Sequence, residues 1–228
     1  MLDPGEFDPT LYWLHVVLGF STVVFVIGAL ASGKGSALHK RSGQLFSIGM
    51  SVAALTALVG FGRGVPPPPP MISALAALYG IGMAILSLKA QRGFWKALQF
   101  GLVLIPVAIG LLYVAFIGFV LANPDFPRYL IVLGPAAGML FLVMAWKDVK
   151  FLRESNVGRD RRLKRHGWRM ALVAAEVVRA PAVSFGPQFL GDATFDFYAF
   201  GSFLLVPLCY FLSLPTWLKA RTTQPEAA

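Results

Sequence analysis

The chain has 228 residues, 57% of them hydrophobic and only 14% charged, with a mean hydropathy of +0.68. The apolar residues come in long blocks without an amphipathic period, far from the globular balance, which excludes a soluble globular domain. The formal net charge of +9 sits in short segments beside those blocks and accompanies no nucleic-acid-binding module; it reads as a membrane-orienting signal, and nucleic acid is excluded as a partner.

Continuous apolar runs argue for transmembrane helices and against a β-barrel, whose strands alternate apolar and polar residues. A helix needs roughly 20 residues to cross about 30 Å of hydrocarbon. The acidic start (Asp3, Glu6, Asp8, with no basic residue) lacks the positive charge that opens a cleavable signal peptide, so the first span is expected to be retained. That span covers residues 11–31. A basic turn with Lys34, His39, Lys40 and Arg41 follows, and the second span covers 43–60.

An unbroken proline run, Pro66 to Pro70, is expected to form a stiff polyproline II segment about 15 Å long outside the hydrocarbon. The third span, 71–88, is short. The fourth, 97–121, contains Pro106, expected to kink it; the fifth covers 129–146. A basic connector is expected from Lys147 to Arg165. The sixth span, 167–185, carries Glu176, Arg179 and Pro181, and the seventh covers 195–217.

This division places all but Arg63, Arg128 and Arg179 of the 20 Lys and Arg on one side. The positive-inside rule then predicts an all-α, seven-transmembrane-helix bundle with the N-terminus outside and the C-terminus cytoplasmic. The whole chain, 1–228, reads as a single multi-pass domain of a bacterial inner membrane, with anionic lipids against its cytoplasmic face. Gly134 and Gly138 form a G-x-x-x-G, expected to pack helices within the chain. The one cysteine, Cys209, allows neither an intrachain disulfide nor a thiolate metal cluster.

Candidate chemistry concentrates on the sixth span. An ionisable group deep in hydrocarbon costs at least about 2.5–3.5 kcal/mol, so it needs a partner or a task. Glu176 lies about 13 Å past the start at Gly167, and its i,i+3 spacing lets it pair with Arg179. His166, Arg169, Glu176 and Arg179 fall within about 140° of arc, a polar stripe that must face the bundle interior or a hydrated cavity. Of the three histidines, His15 falls near the outer boundary, whereas His39 and His166 fall at the cytoplasmic boundary in similar basic strings. Two histidines at one depth on different helices suit the axial pair of one b-type haem, with the surrounding Lys and Arg for its propionates. Interfacial histidines that merely contact lipid phosphates and set topology fit the same pattern.

His15 followed by Gly19, the H-[KR]-x-x-G of His39 to Gly43, and His166-Gly167-Trp168-Arg169 leading to Arg179 resemble an uncharacterised bacterial family of membrane proteins, domain-of-unknown-function family 2306. The resemblance implies a polytopic inner-membrane protein and brings no known reaction with it. Three functional classes stay open. One is a redox or ligand-binding protein in which His39 and His166 hold a haem or quinone headgroup and Glu176 and Arg179 serve protons or a polar ligand. Another is a small transporter or sensor with a cavity lined by the α-helical stripe, with Glu176 and Arg179 predicted to face the first, second or fifth span. The third is a non-catalytic accessory subunit packed against other membrane subunits.

Overall fold

The computed structural model describes residues 8–61, 69–89, 92–123, 130–154 and 157–185. These form six helices and no strand: α1 Pro9–Ala31, α2 Ala37–Phe61, α3 Pro69–Ser87, α4 Gly93–Ala122, α5 Leu130–Arg153 and α6 Arg159–Phe185. The seventh predicted span, 195–217, lies outside the described residues. Four of the helices, α1, α2, α4 and α5, are long and apolar enough to cross a membrane, which makes this a membrane protein built as a helical bundle.

Local sequence explains the helix ends. Asp8 caps α1, its carboxylate accepting from Thr10 N at 2.8 Å and Leu11 N at 3.2 Å, and Pro9 occupies the first helical position, where no N–H is required. Ser36 receives His39 N on its hydroxyl at 3.1 Å, so α2 starts before the basic string and that string is helical. The end of the proline run departs from expectation: Pro69 and Pro70 form the first turn of α3 instead of a polyproline II segment, and Pro66 to Pro68 lie outside the described residues. Proline's fixed φ suits that turn.

The expected connector from Lys147 to Arg165 also needs correction. α5 continues to Arg153 and α6 begins at Arg159, so most of that stretch is helix projecting past the apolar segments. Lys, Arg and Leu are good helix formers, and a run of positive charge does not by itself end a helix. For the same reason α6 starts eight residues ahead of the expected Gly167 and α4 starts at Gly93 ahead of residue 97. Pro106 stays inside α4, and Pro135 inside α5.

α3 is the hub. It contributes to all three buried clusters, against Phe46 and Met50 of α2 with Val173 of α6, against Met144 and Leu152 of α5 with Leu172 of α6, and against Ile109 of α4 with Phe141 of α5. Ala76, Ala77, Tyr79, Met83 and Ala84 are fully buried, so this short helix is enclosed by its neighbours. Small residues permit the enclosure: a Cβ at Gly80 would lie 2.5 Å from Val173 Cγ2 and 3.3 Å from the Arg169 carbonyl. The G-x-x-x-G of α5 does pack inside the chain, since a Cβ at Gly138 would meet Tyr113 Cβ at 2.8 Å and the Gly110 carbonyl at 3.0 Å on α4. α1 lies at the periphery. Its Trp13, Val17, Phe20, Val24 and Ile27 are half exposed or more, an apolar stripe suited to lipid tails.

Candidate functional site

Arg179, His166 and the Arg162 carbonyl of α6 meet α3, and the two helices run antiparallel in close register. Ser87 Oγ donates to the Arg162 carbonyl at 3.4 Å, His166 Nδ1 meets the Ala84 carbonyl at 3.1 Å, and Arg179 Nη2 donates to Ser73 Oγ. Gly80 makes this closeness feasible.

Along the seam lie two buried ionic clusters. Near the middle of α6, Arg179 Nη2 contacts Glu176 Oε2 at 2.7 Å and Nε does so at 3.2 Å, as the i,i+3 spacing predicts. Ser73 of α3 also donates to Glu176, and Tyr113 of α4 lies within electrostatic reach of both charges. Ser73 of α3 is thus a partner of both members of this pair.

The second cluster joins three helices. Asp148 of α5 is 1% exposed and accepts from Arg169 of α6 and from the Tyr79 hydroxyl of α3. Arg165, one turn before Arg169, forms an ion pair with the same carboxylate at 3.1 Å. Its guanidinium stacks over the Phe151 ring at 3.9 Å, and that of Arg169 lies 5.3 Å from the Tyr79 ring centroid. Of these residues the sequence singled out Arg169 alone. Asp148 stands between two lysines and reads as solvated; Tyr79 reads as one more aromatic in an apolar run. The available signal was the i,i+4 spacing of Arg165 and Arg169, which sets both on the face that carries Glu176.

All three histidines use Nδ1 toward a carbonyl of a neighbouring helix. His39 Nδ1 lies 2.8 Å from Ala29 O, near the C-terminus of α1, and His166 Nδ1 bonds Ala84 O near the C-terminus of α3. Both carbonyls belong to last helical turns, where backbone donors run out; Ser32 Oγ and Ser87 Oγ also donate to them, at 3.3 and 2.8 Å, and the imidazoles add to this C-terminal capping. Lys34 Nζ shares Ala29 O at 3.3 Å, and burial there pulls its pKa below the usual lysine range. His39 and His166 sit at one end of the bundle, close enough for the charge of one to act on the other. His15 is elsewhere: its Nδ1 lies 2.8 Å from Ala53 O and 3.3 Å from Thr56 Oγ1 of α2, about 20 Å along α1 from the His39 contact. The structure therefore places His39 and His166 at one end of the bundle, joins Arg169 to Asp148, pairs Glu176 with Arg179, and leaves His15 apart.

Among the described residues no group of three or more His, Cys, Asp and Glu side chains is placed to hold a metal ion. Comparison with protein-family models, with curated proteins and with solved structures finds no match to this chain.

Proposed function

We propose that the chain is a seven-helix protein of the bacterial inner membrane, N-terminus outside and C-terminus cytoplasmic, and that it is a redox or ligand-binding protein whose cytoplasmic-side pair, His39 and His166, holds a b-type haem or a quinone headgroup. One observation carries the reading. Each imidazole donates Nδ1–H to a backbone carbonyl, a tautomer that leaves the Nε2 lone pair outward as the coordinating or hydrogen-bonding atom. Neither Nε2 is engaged by another group among the described residues.

The residues fit such a group. The pair comes from two helices at one end of the bundle, and Lys40 and Arg41, next to His39 in the chain, supply cations for propionates. A haem held there would supply one-electron exchange; the protein's part is to orient the two rings through the carbonyl bonds.

Detergent-purified protein from haem-replete cells is expected to show a Soret band that shifts on reduction with dithionite. His39→Ala and His166→Ala should each abolish it, and His15→Ala should leave it. A colourless preparation removes haem, and one that also carries no extractable quinone removes the histidine pair as a ligand site.

A further inference from the structure

Between the C-terminal half of α5 and the N-terminal half of α6 lies a crevice of about 360 Å3. Lys147, Lys150, Arg161, Lys164, Arg165 and Arg169 line it, against the single carboxylate of Asp148. Its floor is built, not merely charged. Arg165 is 8% exposed, yet its Nε, Nη1 and Nη2 make no hydrogen bond among the described residues, and neither does Arg169 Nε. Two guanidiniums share one carboxylate, so a surplus positive charge sits in a place water barely reaches. Buried donors without acceptors and buried charge without a counter-charge are both expensive. An anion in the crevice would supply both.

The other wall limits which anion. Leu140, Val143, Met144 and Leu172 continue the crevice along the apolar part of the bundle, and Trp146 and Trp168 lie on its lining as aromatic residues do at a membrane boundary. We propose that this crevice binds the phosphodiester of an anionic membrane phospholipid, the phosphate taken by Arg165 and the rim lysines and an acyl chain laid along Leu140 and Val143. A phosphodiester carries one negative charge, which matches the surplus of the floor, and its oxygens accept from the guanidinium. A zwitterionic lipid brings a second cation against Lys147 and Lys150 and is disfavoured.

The test uses the full chain in mild detergent, stripped of lipid, with phosphatidylglycerol, phosphatidylcholine or inorganic phosphate added back. Bound lipid is counted by native mass spectrometry and stability is read as melting temperature. Phosphatidylglycerol is expected to bind as a single tight copy at least tenfold better than phosphatidylcholine and to raise the melting temperature by about 5 °C. Arg165→Gln should lose that preference and that rise, while melting no lower than the parent in lipid-free detergent, because the substitution also removes the surplus charge. The double variant Lys147→Gln/Lys150→Gln, altered only at exposed positions, should weaken phosphatidylglycerol binding with the lipid-free melting temperature unchanged. Equal retention of the two lipids, or full phosphatidylglycerol binding in both variants, overturns the site. If inorganic phosphate raises the melting temperature as far as the lipid does, the crevice takes free phosphate and the lipid assignment is overturned. None of these readouts requires haem absorbance, so the crevice stands or falls apart from the histidine pair.

Discussion

Asp148 shows how one side chain can decide the packing of three helices. Its carboxylate takes Tyr79 of α3 and both Arg165 and Arg169 of α6, and burial leaves no water to replace a lost partner. Asp148→Asn strands two guanidiniums, and breaking a buried pair in this way costs about 3–5 kcal/mol. Thermal unfolding in detergent should show that loss, and adding Arg165→Gln should recover part of it by removing one stranded charge. The contrast is Glu154, paired with Arg161 at the surface, where the side chains are 28% and 55% exposed. Glu154→Gln should shift stability by less than about 1 kcal/mol, because solvent screens such pairs. The Glu176–Arg179 pair was legible from its spacing alone, since both members lie one turn apart on one helix. Asp148 was not, because its partners are 17, 21 and 69 residues away and on two other helices.

Among the elements, α3 and α6 depend on each other. α6 carries charges that cannot face lipid, and α3 offers Ser73, Tyr79 and the Ala84 carbonyl along one face, with Gly80 to bring the backbones together. Glycines elsewhere have different jobs. At Gly138 a methyl group would press on Tyr113 Cβ and the Gly110 backbone, neither of which can swing aside, so Gly138→Ala should destabilise by about 1–3 kcal/mol through overpacking. At Gly19 nothing lies within 4 Å of a built Cβ, and Gly19→Ala should be neutral or stabilising by up to about 1 kcal/mol. Melting temperatures of the two variants in one detergent test the contrast. Equal effects would mean that α4 and α5 do not touch as closely as Gly110 and Gly138 indicate.

For the whole molecule the governing quantity is which side each end lies on. The proposed seven crossings would separate the acidic N-terminus from the basic C-terminal segment, and the depth assigned to His15, His39 and His166 rests on that proposal. With Cys209→Ser as background, a thiol placed by Glu6→Cys should react with a membrane-impermeant maleimide in intact cells. One placed by Gln224→Cys should react only after lysis. Labelling of both from outside would mean an even number of crossings.

Composition and charge alone determined that the chain is a helical membrane protein and that Glu176 and Arg179 pair, because hydrophobic length and i,i+3 spacing are local properties. They overextended the connector after Lys147 because a basic stretch reads as solvent whether or not it is helical. Which face of each apolar helix is buried was decided only in the tertiary structure. In α2, Phe46, Met50 and Ala53 are interior and Leu45, Ile48 and Val52 exterior, yet all six are apolar. Lipid tails are as apolar as a protein core, so no hydrophobic period marks the difference, and only contacts between helices distinguish the two sides.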